Sequence, residues 1–157
     1  MSNRIHIIGG PGSGKTTLAR QLAAKHGFPH VELDTLFWDN ADGGYAVRRD
    51  PKERDRRLAL FVEGESWVVE GVYWGWCQPS FERADQIILL DMPTWIRQWR
   101  LGLRFIKRRM GLEKSTKKET FKGCWETARW NARWNRDNLA GAKKALKPFE
   151  FKVKVLV

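Results

Sequence analysis

Short apolar runs alternate with amphipathic stretches along this chain, and the periods of the two kinds differ. Arg4-Ile5-His6-Ile7-Ile8 is a β-branched run that predicts a strand, whereas Thr17 to His26 carries Leu18, Leu22 and Ala23 at helical spacing among good helix formers. His30-Val31-Glu32-Leu33 reads as a short second strand ending at Asp34. Asp50-Pro51 reads as a cap followed by proline in the first turn of a helix running to about Glu63, with Leu58, Phe61 and Val62 facing inward. Trp67-Val68-Val69-Glu70 and Gln86-Ile87-Ile88-Leu89-Leu90-Asp91 are nearly continuous apolar runs, the pattern of strands covered on both faces of a parallel sheet. Pro93 starts a long helix with Ile96, Trp99, Leu103, Ile106 and Met110 at steps of three and four, and Arg97, Arg100, Arg104 and Arg108 on the opposite side. A further helix is expected from about Glu119 to Leu139, weakened or ended by Gly141, and the alternating tail Phe151-Lys152-Val153-Lys154-Val155 reads as an edge strand. Strands alternating with helices predict one α/β domain over residues 1–157, a three-layer sandwich whose ligands bind beyond the carboxyl ends of the strands.

The connection between the first strand and helix changes the picture from architecture to chemistry. Gly9-Gly10-Pro11-Gly12-Ser13-Gly14-Lys15-Thr16 fits the phosphate-binding loop G-x-x-x-x-G-K-[ST] at every fixed position, between a strand and a helix as that loop requires. Its glycines let consecutive N–H groups turn toward phosphate oxygens, and the helix that follows aims the positive end of its dipole at the same anion. The expected nucleotide-binding set is Gly10, Pro11, Gly12, Ser13, Gly14, Lys15, Thr16 and Thr17. Within it Lys15 reaches the β- and γ-phosphates of ATP, and the Thr16 hydroxyl ligates Mg²⁺.

Composition narrows the partners less sharply. The 29 Lys and Arg residues against 18 acidic ones give a formal net charge of +11, which implies an anionic partner. ATP with a small acceptor satisfies that as well as nucleic acid does, and nucleic acid is not favoured. The two cysteines, Cys77 and Cys124, have no metal-ligand spacing and read as packed thiols in a reducing, cytoplasmic setting. No apolar stretch reaches membrane-spanning length and no signal-peptide pattern opens the chain, so a soluble monomer or homodimer is expected.

Phosphoryl transfer asks for a metal partner, cations around the migrating group and an acid or base near the acceptor. Glu70, closing the third strand, is the candidate Mg²⁺ carboxylate, its alternative being a salt-bridged acid at a strand end. Asp34 is the candidate acceptor-binding residue or base, or else a helix N-cap ahead of Thr35. Asp91 reads as structural. Arg100 and Arg104 lead into the polar, lysine-rich segment Gly111 to Lys118, and arginines on such a closing element suit a kinase that must neutralise the phosphoryl group and exclude water. Trp125, Arg129, Trp130, Arg133 and Trp134 read either as core packing or as a stacking surface for bases or substrate.

With these residues in view the chain resembles the adenylate kinase-like P-loop kinases, and among them the small group called DNA topology modulation proteins. The likeness lies in Ile7 to Thr16, in Leu33-Asp34-Thr35-Leu36-Phe37-Trp38, in Glu70-Gly71-Val72-Tyr73, and in Arg83-Ala84-Asp85 leading into Ile87 to Asp91. It implies a five-stranded parallel sheet in the order 2-3-1-4-5, ATP with Mg²⁺, an acceptor-binding insertion at about 34–66 and a short lid at about 108–120. It also implies that Arg100 and Arg104 stand where adenylate kinases hold their lid-entry arginines, and Asp34 where shikimate and gluconate kinases hold the acceptor. Adenylate kinases typically show Asp-Gly-x-Pro-Arg after the third strand, whose arginine grips AMP; this chain has Glu70-Gly71-Val72-Tyr73-Trp74, which argues against AMP as acceptor.

The expected function is therefore an ATP-dependent phosphotransferase acting on a small hydroxyl or phosphate acceptor, with Lys15, Asp34, Arg100 and Arg104 as catalytic residues and Thr16 and Glu70 at the metal. The alternative is a basic nucleic-acid-binding regulator that uses ATP as a switch. A GTPase or AAA-type motor is poorly supported, since the chain has no NKxD, no DxxG and no Asp-Glu pair after an apolar strand.

Overall fold

The computed structural model describes residues 3–39, 47–111 and 121–157. The expected turn cluster at Asn40 to Gly44, most of the expected lid and the Cys124 thiol lie outside the described residues. Strand β1 (Arg4–Gly9) leads through the glycine-rich loop into α1 (Lys15–His26), and β2 (His30–Glu32) runs directly into a short α2 (Leu33–Phe37). A small antiparallel pair follows, β3 (Trp38–Asp39) with β4 (Val47–Arg48), then α3 (Pro51–Phe61), β5 (Trp67–Gly71), α4 (Gln78–Arg83) and β6 (Gln86–Leu90). The remainder is α5 (Thr94–Arg109), α6 (Phe121–Trp134), a π-helical turn at Asn135–Leu139, α7 (Ala140–Leu146), a 3-10 turn at Lys147–Lys152 and β7 (Val153–Leu156).

The five long-range strands form one parallel sheet ordered β2-β5-β1-β6-β7, which is 2-3-1-4-5 when its strands alone are counted. As the apolar runs predict, β5 is buried at every position and β6 at every position after Gln86. Alternation along the strands divides the core into two layers. Ile5, Ile7, Val68, Ile88 and Leu90 pack with Ala19 and Ala23 of α1 on one face. Ile8, Trp67, Val69, Ile87 and Leu89 pack with Leu58 and Val62, with Phe81 of α4, and with Ala142 and Leu146 of α7 on the other. Burial of such side chains stabilises by about 1.5–3 kcal/mol each. The central strand β1 therefore delivers the glycine-rich loop to the middle of the sheet's carboxyl edge.

Asp50 caps α3 as its sequence predicts, its carboxylate accepting from the N–H groups of Lys52 and Glu53 at 3.0 and 3.2 Å. Leu58 and Val62 are fully buried and Phe61 packs against them. Four expectations need correction. The second strand stops at Glu32, because Leu33 turns inward as the first residue of α2 and is fully buried. The tail strand begins only at Val153, since Pro148 and its neighbours tighten into a 3-10 turn, although β7 is the edge strand expected. Gly141 does not end a helix: it lies inside α7, where a Cβ would come within 2.5 Å of the Trp74 ring, so the missing side chain makes room for an aromatic. The helix before it stops at Trp134 and passes through the π-helical turn.

The long helix α5 is oriented against the usual habit of an amphipathic helix. Its arginine side faces the protein, with Arg97 buried, while Trp95, Trp99, Ile106 and Met110 stand more than half exposed and Leu103 is also exposed. Among the described residues no helix is long and apolar enough to cross a membrane.

On the face opposite α1, His6 is fully buried, its Nδ1 2.7 Å from the Ser80 hydroxyl and its ring edge-on to Phe81. Burial lowers its pKa from 6.5 to about 3, so it folds neutral while the unfolded chain still takes up the proton between those values. Its contribution is therefore intact above pH 6.5 and lost as the pH falls toward 3. A His6→Asn variant should show a shallower loss of stability than the wild type between about pH 7 and pH 4, read as the slope of denaturant midpoint against pH. Equal slopes would contradict the assignment of that pH dependence to His6.

Candidate active site

The phosphate loop is shaped by its glycines. Gly12 and Gly14 have φ of 74° and 92°, a left-handed conformation that L side chains rarely adopt. The Ser13 N–H donates to Gly10 O at 3.2 Å, closing the turn, and the Leu18 N–H donates to Gly14 O at 3.0 Å, opening α1. Gly14 is the N-cap and no side chain caps it, so the first turn of α1 keeps its amide donors for an anion. Lys15 folds back across the loop with its ammonium 3.5 Å from Gly10 O. Burial pushes that ammonium below the usual lysine value, while Glu70 first and then Asp34 oppose the fall.

Glu70 lies under the start of α1, in register with Ile7 of β1 and with Glu32 of β2. It is 3% exposed, and its Oε1 accepts a hydrogen bond from the Thr16 hydroxyl at 2.7 Å. Its Oε2 is buried without a partner. Burial raises the Glu70 pKa, against the lowering effect of Lys15 and of the Thr16 hydroxyl. Two hard oxygen donors thus sit side by side, which is the donor chemistry Mg²⁺ takes.

Asp34 lies in the first turn of α2, where Glu32 and not Asp34 is the N-cap. Its Oδ1 accepts from the Tyr73 hydroxyl at 2.9 Å, so the helix-cap alternative is set aside and the carboxylate is held from the end of β5. Tyr73 stacks on Phe37, with ring centroids 4.7 Å apart, and lies 5.5 Å from Trp76. The Arg54 guanidinium sits 4.4 Å from the Trp76 ring centroid, a cation–π distance. This aromatic wall beside Asp34 escapes a reading of the sequence, because its members come from α2, α3 and the loop after β5. The signal that could have found it is the density of aromatic residues immediately after Glu70-Gly71.

The arginine side of α5 closes over the loop. Arg100 donates from Nη1 to Ser13 O at 3.2 Å. Arg104 is half-buried, and its positive charge acts on the Lys15 ammonium. Arg97 goes unassigned in the sequence but is the most buried of the three, 1% exposed. Its Nη2 donates to Asn135 Oδ1 at 2.6 Å and to Thr94 Oγ1 at 3.2 Å, and burial lowers its pKa. Its guanidinium and the Trp134 ring occupy the space a Gly10 side chain would need. Trp134 is accordingly core, 2% exposed, whereas Trp130, edge-on to it, is 41% exposed and Trp125 70%. Asp91 is structural as expected, accepting from Lys143 at 2.8 Å.

A second grouping lies beside Glu70. His30, Glu32 and Glu70 each offer one ligand atom, all within 4.8 Å of one another. His30 Nε2 is buried without a partner, and burial lowers the His30 pKa against the opposing charge of Glu32.

An AAA domain family model matches residues 8–117, from the end of β1 to beyond α5 and across well over half of the chain. The chain is similar to uncharacterized protein YqaC of Bacillus subtilis, 28% identical over 109 residues that cover 69% of this chain and 60% of that protein. It is also similar to a cytidylate kinase of Pyrococcus abyssi, 33% identical over 111 residues, 64% of this chain and 60% of the enzyme. The chain thus spans about 60% of the length of these curated relatives. A solved shikimate kinase from Bacteroides thetaiotaomicron shares the fold at a TM-score of 0.53 and 19% identity, over 99% of this chain and 85% of that one. With a complete phosphate loop on the central strand of a parallel sheet in this order, and a family model that spans it, the chain belongs to the AAA domain family of P-loop NTPases and has their nucleoside monophosphate kinase-like fold.

Proposed function

We propose that this protein is an ATP-dependent kinase that moves the γ-phosphate of Mg-ATP to a small acceptor bearing a hydroxyl or phosphate oxygen. The observation that carries the reading is the convergence of Lys15, Thr16 and Glu70 at an uncapped helix start with Arg100 against the same loop. The likeness to a cytidylate kinase supports it and favours a nucleoside or nucleotide among the acceptors. The finer likeness to the DNA topology modulation group rests on the motifs in Leu33 to Trp38 and Glu70 to Tyr73.

In this reading the loop amides of residues 10 to 16 and the Lys15 ammonium hold the β- and γ-phosphates, and Thr17 extends the same first turn. Thr16 and Glu70 would hold Mg²⁺, which when bound neutralises charge on the β- and γ-oxygens. Asp34, pinned on one oxygen by Tyr73, accepts the proton of an acceptor hydroxyl through the other. The acceptor oxygen then bonds to the γ-phosphorus while the bond to the β–γ bridging oxygen breaks, and ADP leaves with the electron pair. Arg100 and Arg104 neutralise charge on the migrating group from the lid side, about 108–120, and the insertion at about 34–66 supplies the acceptor site, with the Phe37, Tyr73 and Trp76 rings as its aromatic wall beside Asp34.

One observation favours keeping a second reading. Trp95, Trp99 and Trp125 are each about two-thirds exposed or more on a chain of net charge +11, which suits stacking on nucleic acid. Binding of that kind weakens steeply as salt rises, whereas turnover of a small acceptor persists.

An ATP-consumption screen over nucleosides, nucleoside monophosphates and small hydroxylated metabolites tests the main reading; ADP release with none of them, at any salt concentration, would contradict it. Lys15→Ala should lower turnover at least ~10²-fold, as for loss of one preorganised charge on a transition state, and turnover like wild type would refute the phosphate-loop assignment. Arg104→Ala should reduce kcat more than nucleotide affinity. A change confined to ATP binding would remove Arg104 from the transfer step.

A further inference from the structure

The two strands at one edge of the sheet place two residues that phosphoryl transfer does not use, His30 and Glu32, beside Glu70. His30 and Glu32 are alternate residues of β2, so both side chains leave the same face of the sheet, the one that α1 covers. Parallel pairing sets Glu32 opposite Glu70 and His30 opposite Val68, which brings the imidazole diagonally toward the Glu70 carboxylate. The resulting ligand atoms lie within 4.8 Å of one another, so side-chain adjustment has to draw them in to the roughly 3.4 Å that separates donors around a tetrahedral ion with bonds of about 2.0–2.2 Å.

Two independent observations show that this group is incomplete as it stands. Glu70 is 97% buried, yet only one of its carboxylate oxygens is hydrogen-bonded, and the other is buried with no partner. His30 Nε2 is likewise buried without a partner. Buried polar atoms are nearly always satisfied, and each exception calls for a physical reason. Glu32 and Glu70 also bring two carboxylates together; Arg20 reaches Glu32 at 2.7 Å and the Lys15 charge acts on Glu70, but neither reaches the free Glu70 oxygen. A cation with an affinity for imidazole would satisfy both orphaned atoms in one step.

We propose that His30, Glu32 and Glu70 form a binding site for a late first-row divalent transition ion such as Zn²⁺, beside the Mg²⁺ that accompanies the nucleotide and sharing Glu70 with it. The imidazole decides the class of ion. Mg²⁺ takes oxygen donors and gives up its water reluctantly, whereas Zn²⁺ and its neighbours bind imidazole nitrogen together with carboxylate oxygen. Glu70 binds through the oxygen that Thr16 leaves free, so the ion fixes the carboxylate in the orientation that accepts from Thr16. It also ties β2 to β5 where the sheet has a free edge.

The chain has three histidines, His6, His26 and His30, so their imidazole nitrogens can be followed individually. Long-range proton–nitrogen spectra of the full chain, titrated with Zn²⁺ in the absence of nucleotide, should show one saturable event with stoichiometry near one in which a His30 nitrogen moves to the metal-bound position. His6 and His26 should stay in place, and an excess of Mg²⁺ should neither produce nor reverse the change. His30→Gln should abolish the high-affinity event in calorimetry, and Glu32→Gln should weaken it at least ~10-fold, in line with loss of a ligand. Absence of saturable binding, a shift at His6 or His26 instead, displacement by Mg²⁺, or unchanged affinity in a folded His30→Gln variant would each overturn the proposal. The wild-type spectrum decides the matter even if a variant fails to fold. Because no nucleotide is added, the outcome is independent of whether the protein is a kinase.

Discussion

The hydrogen bond from Thr16 to the buried carboxylate of Glu70 is the constraint on which the site depends. It links the first turn of α1 to the carboxyl end of β5, and so fixes the phosphate loop relative to the strand beside it. Its energetics are unfavourable in isolation. A hydrogen bond to a charged group contributes about 1.5–3 kcal/mol, while moving a carboxylate out of water costs several kcal/mol even after relaxation. The raised Glu70 pKa expresses the same imbalance. Lys15 offsets part of it through charge, and the deficit that is left stabilises cation binding rather than the empty fold.

Around this point the other elements are arranged by packing. The apolar interiors of β5, β1 and β6 need helices on both faces, and α1 on one side and α3, α4 and α7 on the other supply them. That leaves the carboxyl edge for the loops. Arg97 then closes the back of the phosphate loop: its guanidinium fills the space beside Gly10, together with Trp134, and is held by Asn135. A buried guanidinium adds positive potential behind a loop meant for anions, which is a gain once phosphate is present and a cost before.

The sequence carried the fold well because the strong signals were local. β-branched runs, the Asp50-Pro51 cap and the phosphate loop each depend on a few adjacent residues, and the strand order followed from a resemblance to known kinases. What failed to show was set by contacts between distant segments. Gly141 looks like a helix breaker until Trp74 is packed against it, and Leu33 looks like a strand residue until its burial under Gly71 starts α2. The segregation of α5 was readable, but not which side would face inward. Apolar periodicity favours burying Trp99 and Ile106; the loop carbonyl of Ser13 and the space beside Gly10 instead receive arginines. Of the candidate site, Lys15, Thr16, Glu70, Asp34 and Arg100 were legible by residue type and position. Tyr73, Arg97 and His30 were not, since each acquires its meaning from strand register or helix packing.

Calorimetric titration of the wild-type chain with Mg-ATP tests the central claim most directly, because it asks whether main-chain amides around Lys15 form a working anion clamp. Saturable binding with a stoichiometry near one, competed by ADP, is the expected result. No heat and no saturable uptake, from a chain shown to be folded by its thermal transition, would contradict the account.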